Sequence, residues 1–96
     1  MKRTKDSAIS RFIANRDPVS YAQTSTKMNI AVLIDDARIE KGWDKGELAK
    51  QFNRPTSTIN RWLSGTCNFT IETLVEISLV LDIKLVAMYE EKDEKN

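Results

Sequence analysis

Gly42 and Gly65 frame a stretch of chain with room for two short helices and a tight turn, and for little else. Glycine most readily takes the left-handed backbone that ends a helix, so each of the two reads as a stop. Directly after the first stop, Asp44-Lys45-Gly46-Glu47 reads as a capping box, in which Asp44 accepts from the Glu47 amide and Glu47 reaches back to the cap. The helix it opens covers about residues 45 to 52 and turns Leu48, Ala49 and Phe52 inward. Asn53-Arg54-Pro55 supplies the turn, and Ile59, Trp62 and Leu63 then recur at i, i+3 and i+4 up to the second stop. Two helices joined by so short a turn make a helix-turn-helix unit. Helix pairs are common in all-α folds, so this spacing alone does not assign a function.

The flanks are also written in helix punctuation. Asp17-Pro18 is a strong opener, because proline at the first helical position lacks a donor that would be orphaned there anyway. A helix follows to about Lys41, with Ile30, Ala31, Ile34 and Ala37 as its buried face. Gln23 to Thr26 is poor helix-forming sequence, which leaves one long helix or two pieces open. Thr70 caps a further helix from Ile71 to about Leu81 that buries Leu74, Val75, Ser78 and Leu81, and Asp82 closes it. Near the start, Thr4 can cap a short helix whose apolar stripe is Ala8, Ile9, Phe12 and Ile13. Ile83 to Tyr89 differs in kind: its alternation suits a short strand. A lone strand leaves backbone groups unpaired, so its simplest partner is its own copy in a second subunit, which argues for a homodimer. A continued helix or a tail packed on the core is the alternative. The expected fold is therefore all-α, with four to five helices, an extra N-terminal helix and a short C-terminal strand. Its parts are an extension over residues 1–27, the helix-turn-helix domain over 28–82, and the strand with an acidic tail over 83–96.

Composition decides mainly what the chain does not do. Ninety-six residues support one modest core. With no histidine and one cysteine, Cys67, the chain lacks imidazole acid–base chemistry, an internal disulfide and Cys/His zinc sites. Cys67 also has no histidine to activate it and reads as a small, partly buried filler. Asp35, Asp36 and Glu40 look like a carboxylate cluster, but Asp35 points away from the other two on a helix, so solvated charge is the better account. The expectation is no enzyme and no cofactor. No apolar run approaches the length of a membrane span and no secretory signal is apparent, so a cytoplasmic protein is expected. The formal net charge of +1 gives no argument for nucleic acid, and placement must supply it. Residues 43 to 68 carry Lys45, Lys50, Arg54 and Arg61 against Asp44 and Glu47, a mild local excess.

The residues themselves then carry a resemblance. Gly42-Trp43, Glu47-Leu48-Ala49, Thr58-Ile59-Asn60-Arg61-Trp62-Leu63-Ser64-Gly65 and Asn68-Phe69-Thr70 resemble the Cro and phage-repressor-like (Xre-type) helix-turn-helix family over about residues 28 to 82. The resemblance implies a lambda-repressor-like domain whose third helix lies in the DNA major groove. Within that family the chain is similar to small bacterial regulators that include HigA-type antitoxins, which bind a toxin and repress their own operon. Two departures stand out. Asn53 occupies a turn position where the family usually has glycine, and asparagine tolerates the left-handed conformation best among the other residues. Pro55 occupies the usual Ser/Thr cap of the recognition helix, which removes a side-chain cap and a backbone donor; Thr56 is then expected to take over the capping.

Burying Ile59, Trp62 and Leu63 turns Thr56, Ser57, Asn60 and Arg61 outward together, and all four can hydrogen-bond. Arg61 can pair bidentately with guanine, Asn60 with adenine, and Thr56 or Ser57 can reach a base edge or a thymine methyl. The family pattern places bases under Thr56, Ser57 and Arg61 more often than under Asn60. Lys45, at the start of the first helix of the pair, suits a phosphate, and Asn68, Thr58 and Arg54 are flanking candidates. Trp43 and Trp62 fall under the helices and read as core. The expected function is that of a sequence-specific repressor acting as a homodimer on double-stranded DNA at a near-palindromic operator. The alternative is an antitoxin whose extension, residues 1–27, or whose strand covers a toxin protein; a basic arm could instead wrap DNA.

Overall fold

The computed structural model describes residues 17–86, which form four α-helices: α1 (Pro18–Glu40), α2 (Lys45–Gln51), α3 (Thr56–Trp62) and α4 (Ile71–Leu81). The expected helix over Ala8 to Ile13 lies outside the described residues. α1 is one continuous helix, so the weak propensity of Gln23 to Thr26 does not break it. Asp17 caps it by accepting from the Ser20 amide at 3.1 Å, with Pro18 at the first helical position. Gly42, at φ +75°, ends it. The Gly42 amide donates to the Ile39 carbonyl and the Trp43 amide to the Arg38 carbonyl, the pair of reversed bonds that satisfies the last carbonyls of a helix.

The same device closes α2. Asn53 takes φ +55°, its amide donates to the Lys50 carbonyl, and the Arg54 amide donates to the Ala49 carbonyl, both at 3.0 Å. Asparagine thus fills the glycine position of this turn in the left-handed form. At the other end of α2 only half of the capping box forms. Asp44 Oδ1 accepts from the Glu47 amide at 2.7 Å, but the Glu47 carboxylate turns along the helix to Gln51 Nε2 at 2.7 Å and Lys50 Nζ at 3.7 Å. Pro55 gives α3 no side-chain cap, and Thr56 does not replace it, because it is already the first helical residue. α3 is therefore short and uncapped, and depends on tertiary packing for its helicity.

That packing is a core of Ile34 from α1, Leu48 and Phe52 from α2 and its cap, Ile59 and Trp62 from α3, and Ile77 and Leu81 from α4. Burial of each large side chain is worth about 1.5–3 kcal/mol. The apolar face expected of α1, Ile30, Ala31, Ile34 and Ala37, is the one buried. On α4 the face is rotated slightly from expectation: Ile77 is fully buried, while Leu74 and Val75 are only half-buried. Trp62 sits edge-on to Phe52 with ring centres 5.0 Å apart, whereas Trp43 is half-buried beneath Lys41 Nζ at 5.4 Å.

The C-terminal strand requires correction. There is no strand among the described residues; 83–86 run as irregular chain, and residues 87–89 of the expected strand lie outside them. The reason is local. Asp82 ends α4 at φ +57°, the Ile83 amide turns back to the Ser78 carbonyl at 3.0 Å, and the Leu85 amide reaches Ser78 Oγ at 3.3 Å. Ile83 and Leu85 thereby pack on their own core. No described helix is long and apolar enough to cross a membrane.

Candidate nucleic-acid interface

α3 divides cleanly by burial. Ile59 and Trp62 are buried, Thr58 and Leu63 are half-buried, and Thr56, Ser57, Asn60 and Arg61 are exposed. At 100° per residue the four exposed side chains span an arc of roughly 140°, with Arg61 and Thr56 at its edges. The arrangement is a single outward face of two hydroxyls, one carboxamide and one guanidinium, held by a hydrophobic anchor on the opposite side. Neither the guanidinium of Arg61 nor the carboxamide of Asn60 is tied to another described side chain, so both are free to meet a ligand.

The end of α3 is firmly tied. Ser64 Oγ donates to the Arg61 carbonyl at 2.7 Å, accepts from the Thr66 amide at 3.2 Å and lies 3.0 Å from Thr66 Oγ1. Gly65, at φ +87°, passes close to α1, where a β-carbon on it would sit 3.5 Å from Met28 Cγ. Ser64 and Thr66 are tethers beyond the residues expected from sequence. A hydroxyl one residue before a helix-ending glycine is the signal that could have found the first of them.

The four flanking candidates separate into different places. Lys45 is exposed at the start of α2, on the rim of a cleft of about 310 Å³ that it shares with Leu63, Val32 and the Asp35–Arg38 pair. It therefore lies by the C-terminal end of α3. Asn68 is exposed after the stop and borders another groove, about 360 Å³, with Lys27, Cys67, Phe69 and Leu74. Thr58 is half-buried on the flank of α3, its amide donating to the Pro55 carbonyl. Asp35, expected as free surface charge, instead accepts from Arg38 Nε and Nη2 at 2.9 and 2.8 Å, while Arg38 Nη1 donates to the Trp43 carbonyl at 2.8 Å.

Arg54 is the candidate with partners inside the fold. Its Nη2 donates to Glu76 Oε1 of α4 at 2.9 Å, its guanidinium carbon stands 5.2 Å over the Trp62 ring centre, and Nη1 is buried with no oxygen acceptor. The guanidinium is thus engaged within the fold by Glu76 and Trp62. Its partner Glu76 lies 22 residues away in the chain, so no local spacing announces the pair.

Comparison with known proteins bears on the same region. Residues 34–87, more than half of the chain, match the model of a helix-turn-helix family. No curated protein and no solved structure matches the chain.

Proposed function

The chain belongs to the Xre/Cro-type helix-turn-helix family of DNA-binding transcriptional regulators, and from that premise we propose that it is a repressor acting as a homodimer on a near-palindromic operator. The observation that carries the reading is the outward face of α3, where Thr56, Ser57, Asn60 and Arg61 stand opposite buried Ile59 and Trp62. Repression is by occupancy. Two copies of α3 enter successive major grooves about 34 Å apart, each reading bases through the four exposed side chains. Arg61 pairs with a guanine, Asn60 with an adenine, and Thr56 and Ser57 complete the readout. Lys45, Asn68 and Thr58 set the register on phosphates. With a formal net charge of only +1, specificity rests on base contacts more than on bulk attraction. A cytoplasmic location follows from that role.

Selection from a random duplex pool tests the proposal. The expected product is an inverted repeat bound by two chains, with half-site centres about one helical turn apart. Enrichment of a single unrepeated site bound by one chain would refute the dimeric arrangement, and no enrichment would refute sequence-specific binding.

A second reading, an antitoxin that also covers a toxin protein, is favoured by the N-terminal half of α1. Val19 and Tyr21 lie exposed there, on a part of the helix that contributes nothing to the buried core before Ile30. Removing residues 1–16 separates the roles: operator binding is retained if that segment serves a partner and falls if it wraps DNA.

A further inference from the structure

The two halves of the helix-turn-helix pack on each other, but α3 is only seven residues long, has no side-chain cap and follows a turn whose asparagine is left-handed. Its C-terminal end is tied by Ser64, but nothing in its own sequence fixes its N-terminal end. Beyond the apolar core that buries Ile59 and Trp62, the charged group that reaches α3 is the Arg54 guanidinium. Arg54 stands at the C-terminal side of that turn, anchored by its amide to the Ala49 carbonyl of α2 at 3.0 Å. From there its side chain bridges α4, through Glu76 Oε1 at 2.9 Å, and the last residue of α3, through the face of Trp62 at 5.2 Å. Nη1 is buried without a hydrogen-bond partner, and the guanidinium as a whole stands over the Trp62 ring. Trp62 is pinned on its other sides by Phe52 at 5.0 Å and Phe69 at 6.4 Å between ring centres. A single cation thus touches the turn, α4 and the end of α3.

We propose that Arg54 and Glu76 form a positioning clamp that fixes the pose of α3, so that Glu76, which is remote from the outward face, governs how well that face discriminates between DNA sequences. Trp62 directly follows Arg61 on the same short helix, so a tilt of α3 about its buried indole moves the Arg61 side chain with it. The planar fork of arginine suits both contacts at once, and lysine, a point charge, supplies neither the stacking nor the fork. The carboxylate of Glu76 is also kept from repelling phosphate by its bond to Arg54. The inference rests on the proposed DNA-binding role and adds a determinant of specificity that lies on α4.

The experiment compares the wild type, Arg54→Lys, Arg54→Ala, Glu76→Gln, Glu76→Ala and the double variant Arg54→Ala/Glu76→Ala. Binding is measured to the duplex that wild type selects from a random pool and to the unselected pool. The ratio of the two affinities is the readout, taken where every variant remains folded. The clamp predicts that Arg54→Ala and Glu76→Ala each reduce the ratio by about fivefold and that the double variant loses no more than one of them, as coupled neighbours do. Glu76→Gln, which keeps the shape and an acceptor, should retain most of the ratio, and Arg54→Lys should not. A phosphate-contacting Arg54 would behave differently. Its loss would weaken both duplexes alike and flatten the salt dependence, and Glu76→Ala would tighten binding by removing a negative charge; either result overturns the proposal. Amide hydrogen exchange supplies a readout that needs no DNA. Residues 59–63 should exchange faster in Glu76→Ala while the core of α1 stays protected, and unchanged exchange there overturns the clamp. A wild type that selects no sequence would sink the DNA reading, and the exchange result would still decide the clamp.

Discussion

Arg61 and Lys45 are both exposed cations near the ends of short helices, yet the proposed mode of DNA binding gives them different work, and the difference is measurable. Arg61→Ala removes a side chain with no described hydrogen bond or ion pair, from a helix where alanine is at least as favourable. Its effect on stability should stay within about 0.5 kcal/mol, which urea titration can verify before any DNA is added. On the outward face of α3 the guanidinium can make one bidentate contact to guanine, worth about 1–3 kcal/mol of discrimination. Its loss should cut the preference at one base position by about five- to 150-fold and leave other positions alone. Lys45→Ala removes one charge beside the cleft at the end of α3. One phosphate contact contributes about 0.9 to the logarithmic salt slope, so raising salt from about 50 to 200 mM should shrink the wild-type advantage over Lys45→Ala by about 3.5-fold, for every sequence alike. The assay is competition binding at both salt concentrations against the selected duplex and each of its single-base variants. If Arg61→Ala weakens all sequences equally and Lys45→Ala relaxes one position, the roles assigned to the two side chains are wrong.

The remaining expectations concern the scaffold. Gly42→Ala and Gly65→Ala should each cost about 1–2 kcal/mol through backbone alone, since both have positive φ and neither would bring a new β-carbon into a clash; Gly46→Ala, inside α2 and 3.4 Å from Asp44 Oδ1, should be neutral or stabilising by up to about 1 kcal/mol. Thermal melts of the three variants would expose an error if Gly46→Ala proved the worst. Ser78→Ala should cost about 1 kcal/mol and release the Leu85 amide to solvent exchange, because Ser78 Oγ is the acceptor that holds it; a protected Leu85 amide in that variant would contradict the hydrogen bond.

The helix ends were the most legible part of the sequence, because capping is a local transaction between residues a few positions apart. Asp17, Asp44 and Thr70 cap where their sequence neighbours imply, and Gly42, Asn53 and Gly65 take the left-handed backbone. The outward set on α3 was legible for a similar reason: one buried stripe leaves only one arc for everything else. What sequence could not give was any partnership across the fold. Arg54 reads as a flanking phosphate candidate although Glu76 of α4 holds it, and the face expected of α4 omits Ile77, which the packing buries fully. Residues 83–86 read as strand because alternation also suits a segment of irregular chain that lays Ile83 and Leu85 onto a core through one buried serine.

Cys67 is the single thiol of the chain and is buried beside Phe69 and Leu74, directly after the loop that ends α3. It is therefore a built-in stopwatch: a thiol-specific dye reaches it only through the groove that it lines, and a duplex that restricts that corner should slow the clock without any foreign label on the protein.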